Sequence, residues 1–214
     1  MILCLLLTHA RVKISLYRAR TSVTLDRFSE YGTRPEQNRQ AAGQERFRED
    51  FVVKVTVNER VHEVDVDPDT PLLYVLTDNL KLKGPRFGCG LAQCGSCSVL
   101  LDSQEIRSCV TPVSAVGNSA ITTLEGLPRF YAATKRLSAT PDLHPIQQAF
   151  IDEQAPQCGY CYNGIAIKAA ELLSQKKNPS EQEIRDAMNG HLCRCGTYPR
   201  IMKAIRRAAA EMQK

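Results

Sequence analysis

The residues with the clearest chemical potential are the cysteines, of which the 214-residue chain has nine. A secreted disulfide scaffold would be shorter and denser in cysteine. The spacing favours thiolate ligands of metal sites in a reducing compartment instead. One of the nine cysteines, Cys4, has no other cysteine near it in the sequence and is expected to act as a small hydrophobic residue. The other eight form two groups separated by a long interval: Cys89, Cys94, Cys97 and Cys109, then Cys158, Cys161, Cys193 and Cys195.

The first group has the spacing C-x4-C-x2-C followed by a distant cysteine. This is the spacing of plant-type [2Fe–2S] ferredoxins. A loop around such a cluster must turn sharply and point backbone N–H groups at sulfur. Gly88, Gly90 and Gly95 flank the cysteines and can adopt the positive φ angles that this requires. Structural zinc is the alternative, but it prefers paired C-x2-4-C motifs. The sequence therefore predicts a [2Fe–2S] cluster here.

The second group consists of a C-x2-C pair and a C-x-C pair. A helix is predicted to start after each pair, near Asn163 and near Pro199, and helix N-termini suit anionic thiolate sites. The spacing alone leaves iron–sulfur and zinc both open. A Rieske-type site would need histidine within the pairs. His191 lies outside them, so it is expected to be a surface residue or to support the site indirectly.

The segments around the first group predict a small sheet. Residues 51–66 read as a β-hairpin that turns at Asn58, because apolar and polar residues alternate on either side. A helix is predicted over residues 71–80, with a proline in its first turn. Two short strands are expected over 98–106, after the cysteine loop 84–97. This order predicts an α+β domain with one helix across the sheet.

The segments around the second group predict helices. Apolar residues recur at helical spacing in four stretches, and Ser180 with Glu183 forms a capping box at the start of the third. Four helices imply a compact helical domain. The expected organisation is a poorly ordered extension over 1–48, a ferredoxin-like domain over 49–126, a linker over 127–143 and a helical domain over 144–214.

Composition excludes several classes of protein. Hydrophobic residues make up 43% and charged residues 24%, as in a soluble globular protein and unlike a disordered one. No apolar stretch approaches the roughly 18 residues that span a bilayer. The net charge is +5, yet residues 51–199 hold fourteen Lys and Arg against sixteen Asp and Glu. Since a nucleic-acid reader carries its basic residues on the folded core, nucleic-acid binding is not expected.

The two groups in this order resemble the small iron–sulfur subunit of the molybdenum hydroxylases, the xanthine oxidase family. The match is carried by GCGLAQCGSC at 88–97, QCGYC at 157–161 and LCRCGTYPRI at 192–201. Within the last stretch, the residues CGTY at 195–198 resemble those of the isoquinoline oxidoreductase and aldehyde dehydrogenase branch of the family. Tyr162 and Asn163 stand where Thr-Pro is common in the family, and they are expected near the subunit interface.

The resemblance implies a β-grasp ferredoxin-like domain followed by an all-α four-helix bundle, each with one [2Fe–2S] cluster bound by the eight cysteines. It implies a separate large subunit that carries molybdopterin, approached by Gln157 and Cys195. The chain would then be the electron-transfer subunit of an oxidoreductase that oxidises an aldehyde or an aromatic N-heterocycle. Single electrons would leave through both clusters to an external acceptor, which could be a cytochrome c, a quinone or a flavin subunit.

Two other functions remain open: a free-standing two-cluster carrier, and a zinc-stabilised interaction module. A free carrier would be stable alone, whereas a subunit would expose an apolar docking patch. The sequence has no nucleophile–base pair or nucleotide-binding fingerprint, so substrate conversion is expected on the large subunit. The expected location is cytoplasmic, including peripheral association with a membrane through partner subunits, and the periplasm is the alternative.

Overall fold

The computed structural model describes residues 52–213, so Cys4 and the expected extension over 1–48 lie outside the described residues. The described part belongs to one compact unit. Strands dominate its first half and helices its second. The elements are β1 Val52–Val57, β2 Arg60–Asp65, α1 Leu72–Tyr74, β3 Ser98–Leu101, β4 Gln104–Arg107, β5 Ala120–Thr122, α2 Leu127–Lys135, α3 Pro145–Asp152, α4 Tyr162–Gln175, α5 Glu181–Ala187 and α6 Tyr198–Glu211.

The first half is a mixed five-stranded sheet with the order β2-β1-β5-β3-β4. The predicted hairpin is confirmed: β1 and β2 are antiparallel, and Asn58 and Glu59 turn with φ angles of 50° and 67°. Two positive φ angles are typical of the type I′ turn, which matches the twist of paired strands. The strand β5 was not predicted, although it lies in the centre of the sheet, parallel to β1 and antiparallel to β3.

The helix predicted over residues 71–80 is present but is not a regular α-helix. The single turn of α1 continues as a π-helical turn over Val75–Asn79. Its apolar residues pack on one face of the sheet, in a core that includes Leu76, Val99 and Ile121. This core anchors both ends of the cysteine loop, since the loop begins after the π-helical turn and ends at β3.

The opposite face of the sheet is covered by the helical half. Side chains alternate between the two faces of a strand, and in β3 Val99 enters the sheet core while Leu100 enters the helical core. Helix α4 packs on β3 and β4, and α3 packs along α6. Leu100 is fully buried in the same cluster as Ile167 and Ala170 of α4. The predicted α+β class, with a ferredoxin-like part and a helical part, is confirmed.

The range predicted as a linker, 127–143, contains a packed helix. Leu127 at the start of α2 is fully buried in the helical core. Pro128 occupies the first turn of α2, where its fixed φ favours the helix. Among residues 52–213, none of the helices has both the length and the apolar character needed to cross a membrane.

Candidate metal centres

The first cysteine set lies at one end of the sheet. Cys89 and Cys94 are in the loop between α1 and β3, Cys97 directly precedes β3, and Cys109 follows β4. Cys97 is buried and the other three are half-buried. None of the four forms a disulfide. The loop thus gathers three cysteines at the start of β3, and the neighbouring strand β4 brings in the fourth.

Backbone N–H groups surround the sulfur atoms of this loop. The N–H groups of Leu91 and Gln93 donate to Cys89 Sγ at 3.4 and 3.2 Å, and the N–H of Cys89 donates to Cys94 Sγ at 3.3 Å. Burial acts to raise the pKa of the Cys89 thiol, but hydrogen bonds from the N–H groups of Leu91, Gln93 and Cys94, and one with the Cys94 thiol, outweigh it and lower the pKa to about 7. Burial raises the pKa of Cys97 to about 12. The donors are those that a cluster with anionic sulfur requires.

Two of the three flanking glycines have the backbone that the sequence predicts. Gly90 and Gly95 have φ angles of 67° and 81°. Gly88 is different: its φ is not in the left-handed region, and a Cβ placed on it would stand 2.6 Å from Cys94 Sγ. Glycine is therefore required at position 88 by lack of space beside the sulfur, and the expectation of a positive φ there is wrong.

The second cysteine set lies where two helices begin. Cys161 directly precedes α4, and α6 begins at Tyr198, shortly after Cys195. Both starts are close to the predicted ones. Cys158 is exposed, Cys193 is buried, and the other two are half-buried. The two pairs are far apart in sequence but close in space: Cys158 Sγ lies 3.5 Å from Cys195 Sγ.

The thiols of the second set differ in pKa. Burial raises the pKa of Cys161 to about 12, and the neighbouring sulfurs of Cys193 and Cys158 add to the increase. Burial also acts to raise the pKa of Cys193, but hydrogen bonds from Thr197 outweigh it and lower the pKa to about 7. Thiolates this close repel one another, so a cation is needed before all four can ionise. This set therefore fits a metal centre electrostatically.

In both sets the sulfur atoms approach each other two by two. Among the described residues, no three side chains of His, Cys, Asp or Glu converge on a single point at metal-binding distance. A mononuclear zinc site needs four ligands around one point, whereas the two irons of a [2Fe–2S] cluster each take two. The pairwise arrangement suits the two-iron cluster. The four hydrogen-bonded sulfur pairs are Cys89–Cys94, Cys97–Cys109, Cys158–Cys195 and Cys161–Cys193.

The backbones of the two sets are in direct contact. The N–H of Leu192, next to Cys193, donates to the carbonyl oxygen of Cys94 at 3.0 Å. Asn163, expected near the subunit interface, is buried within the chain at 1% exposure. Its Nδ2 donates to the carbonyl oxygens of Ser96 and Ser98, at 2.9 Å each. No sequence signal pointed to these contacts, because each joins residues more than sixty positions apart.

A buried histidine, next to the ion pair of Glu105 and Arg107, lies beside this contact. His191 is 2% exposed, and its Nε2 lies 2.8 Å from Glu105 Oε1 and 3.0 Å from the Arg107 guanidinium. Burial acts to raise the pKa of Glu105, but its hydrogen bonds with His191 and Ser98 and the positive charge of Arg107 outweigh it. They lower the pKa to about 2. Of the two expectations for His191, a surface position is wrong. Glu105 and Arg107 were not predicted as part of the site, because they lie in an ordinary strand pattern.

An aromatic surface lies next to both cysteine loops. Phe87 and Tyr160 are about half exposed, and the Tyr160 hydroxyl donates to the carbonyl oxygen of Phe87. Arg86 stacks over the Tyr160 ring at 5.5 Å, and Tyr74 stacks on Phe87 at 6.5 Å. Gln157, directly before the second set, is exposed.

Comparisons with known proteins agree with this geometry. A family described as "2Fe-2S iron-sulfur cluster binding domain" matches residues 55–119, and one described as "[2Fe-2S] binding domain" matches residues 133–206. Each range contains one complete cysteine set. The two matched domains correspond to two [2Fe–2S] clusters, one in each domain.

Individual relatives match over most of their length. One subunit of nicotinate dehydrogenase from Pseudomonas putida is 47% identical over 162 residues, which is 76% of this chain and 97% of that protein. The alpha subunit of isoquinoline 1-oxidoreductase from Brevundimonas diminuta is 48% identical over 151 residues, 71% of this chain and 92% of that protein. The crystal structure of quinoline 2-oxidoreductase from Pseudomonas putida 86 matches with a TM-score of 0.67 and 32% identity, over 76% of this chain and 95% of that one. The chain belongs to the family of small [2Fe–2S] subunits of the molybdenum hydroxylases.

Proposed function

We propose that this chain carries single electrons from the molybdenum centre of a large partner subunit to an external acceptor. Each [2Fe–2S] cluster, when bound, takes up and releases one electron at a time. The observation that carries the proposal is the direct backbone contact between the two cysteine sets, through Leu192 and Cys94. Two redox sites held this close within one compact unit suit a relay better than two independent functions.

The ligands in this proposal are the eight cysteines of the two sets. The pairwise approach of their sulfur atoms supports one pair per iron: Cys89 with Cys94 and Cys97 with Cys109, then Cys158 with Cys195 and Cys161 with Cys193. The N–H donors around Cys89 support an anionic cluster in the first site. In the second site, the helix starts after Cys161 and Cys195 provide partial positive charge.

The helices α3 to α6 are proposed to form a four-helix bundle around the second cluster. Each contributes a fully buried isoleucine to one core: Ile146, Ile165, Ile184 and Ile205. The exposed edge of this site, with Gln157 and Cys195, is proposed to face the molybdopterin of the large subunit. The aromatic surface of Phe87 and Tyr160 is proposed to take part in docking, because exposed apolar patches mark interaction sites.

The substrate class is proposed by analogy with the two relatives of highest identity described above. Nicotinate and isoquinoline, named in these two, are aromatic N-heterocycles, and this supports the same class for the large partner over an aldehyde. The acceptor is proposed to be a cytochrome c, a quinone or a flavin subunit. The working location is proposed to be the cytoplasm, in a complex that can associate peripherally with a membrane.

Metal analysis and co-purification test the proposal. We expect about four irons per chain and two distinguishable signals in the low-temperature EPR spectrum of the reduced protein. Zinc in the second site would contradict the relay. We also expect a large molybdenum protein to co-purify from the native host. A chain that is stable by itself and binds no such protein would indicate a free-standing carrier.

A further inference from the structure

Asn163 is a buried polar side chain that is not a candidate metal ligand. It lies in the first turn of α4, two residues after Cys161, and is 1% exposed. Both N–H bonds of its amide are used, one on the carbonyl oxygen of Ser96 and one on that of Ser98. These two carbonyls flank Cys97. A single amide group thus joins the helix that follows one cysteine pair to the backbone on both sides of a cysteine of the other set.

The orientation of this amide follows from its partners. Turning it over would point Oδ1 at two carbonyl oxygens, which only accept hydrogen bonds. In the observed orientation Oδ1 is buried and accepts no hydrogen bond among the described residues. An unsatisfied buried acceptor is unfavourable, and an apolar residue would fill the same space without it. The two donated hydrogen bonds are therefore what distinguishes asparagine at this position.

Two further contacts hold the same segments together. A Cβ on Gly164 would overlap the carbonyl oxygen of Gly95 and lie 2.6 Å from its carbonyl carbon, so the start of α4 rests directly on the first cysteine loop. The hydrogen bond from Leu192 to Cys94 attaches the other cysteine pair to the same loop. Asn163 is the side-chain member of this contact, and it can be changed without touching the backbone of either loop.

We propose that Asn163 is a positioning residue that sets the distance and orientation between the two [2Fe–2S] clusters. It acts through the carbonyls of Ser96 and Ser98, which hold the Cys97 backbone against the start of α4. Electron exchange between two centres falls steeply with their separation, so a small displacement of α4 changes the relay. This inference rests on the cysteine assignment made under the proposed function.

The test uses the full chain with both clusters and compares wild type with Asn163→Ala. Iron content and the separate EPR signals report whether each cluster is present, and the magnetic interaction between the two reduced clusters reports their relative placement. We expect Asn163→Ala to retain both clusters but to lose the magnetic splitting or relaxation enhancement of the wild type. An unchanged interaction with both clusters present would overturn this inference alone. A wild type with fewer than two clusters would overturn the proposed function and this inference with it.

A second variant and a control distinguish an effect on the placement of the clusters from a general loss of protein stability. Asn163→Ser keeps one donor on a shorter side chain. We therefore expect its magnetic interaction to be weaker than that of wild type but stronger than that of Asn163→Ala. This variant also serves as the test if Asn163→Ala does not fold. Ser180→Ala removes the capping box of α5, which is formed between Ser180 and Glu183. If Ser180→Ala weakens the magnetic interaction as much as Asn163→Ala does, general loss of stability explains the effect and the inference is wrong.

Discussion

At the scale of single residues, the thiols within each set differ in pKa. In each set, hydrogen bonds bring one thiol close to ionisation at neutral pH, Cys89 in the first and Cys193 in the second. Burial holds another protonated, Cys97 in the first and Cys161 in the second. Metal binding must therefore release a proton from Cys97 and from Cys161. We expect cluster assembly to begin at the loop thiols Cys89 and Cys193, which are the more readily ionised.

The loss of one ligand should affect one cluster. Cys94→Ala removes a thiol from the first set but leaves its backbone carbonyl, which Leu192 contacts, so we expect the first cluster to be lost and the second to remain. Iron analysis should then give about half of the wild-type content, with one EPR signal left. Cys4→Ala is the matched control and should retain both signals. Loss of both signals in Cys94→Ala would mean that the second site depends on the first.

A buried histidine should make stability depend on pH. His144 is the N-cap of α3 and is 1% exposed; its Nδ1 accepts a hydrogen bond from the N–H of Ile146 at 3.0 Å. Burial lowers its pKa from 6.5 to about 3. Because the unfolded chain takes up the proton at higher pH than the folded one, the stability from this group is present above pH 6.5 and is lost as the pH falls towards 3.

The variant His144→Asn isolates this effect, since asparagine is a good N-cap that does not titrate. We expect wild type to lose more stability than His144→Asn between pH 7 and pH 4, measured by thermal unfolding at a series of pH values. Any acid lability of the clusters is common to both proteins and cancels in the comparison. Parallel pH profiles would show that His144 does not contribute.

At the scale of elements, the cysteine sites depend on where secondary structure starts. The loop of the first set ends in β3, and both pairs of the second set lie just before helices. These starts were predictable because proline, capping residues and apolar periodicity are local signals. The hairpin turn at Asn58 and the capping box at Ser180 were predicted for the same reason and are confirmed.

The missed features depend on contacts between distant parts of the chain. The strand β5 has only three residues, too few for a periodic pattern, and it forms because β1 and β3 pair with it. Helix α2 was not predicted and lies within the range expected to be a linker. Its apolar pattern is short, and Leu127 stabilises it by packing in the helical core. The hydrogen bonds of Asn163 to Ser96 and Ser98 were not predicted, because these partners are more than sixty positions away in sequence.

The close approach of α4 to the first loop predicts an inverted effect of a common substitution. Gly→Ala within a helix usually stabilises by about 0.5–1 kcal/mol. At Gly164 the new methyl group would overlap the carbonyl oxygen of Gly95, so we expect Gly164→Ala to destabilise the protein and lower its melting temperature. Calorimetry of the two proteins with equal iron content measures this. A stabilised variant would show that α4 does not rest on the loop.

At the scale of the whole molecule, the ferredoxin-like and helical parts belong to one compact unit. Leu100 belongs to the sheet but is buried in the helical core. Glu171 of α4 accepts a hydrogen bond from the N–H of Glu105 in β4 at 2.8 Å, and Lys168 pairs with both carboxylates. Apolar packing and ionic contacts thus join the two parts over the same face of the sheet. We therefore expect them to unfold together.

Substitution of Leu100 tests whether the two parts unfold together. Truncation of a fully buried leucine costs about 2–5 kcal/mol, so we expect Leu100→Ala to lower the temperature of a single unfolding transition that includes both parts. Differential scanning calorimetry, with absorbance of the clusters followed in parallel, provides the measurement. Leu101→Ala is a control on the same strand, because Leu101 is only half-buried and packs in the sheet core. Two separate transitions, with only one moved by Leu100→Ala, would contradict the single unit.

The contact between the 94–98 segment and the start of α4 also limits how such a chain can be recombined. A chimera that takes its sheet half from one relative and its helical half from another would bring together two surfaces that were never selected as a pair. Residues 94–98, 163–164 and 192 would have to be transferred as a set for the halves to fit. Natural variation in either loop should accordingly be tolerated mainly when the other changes with it.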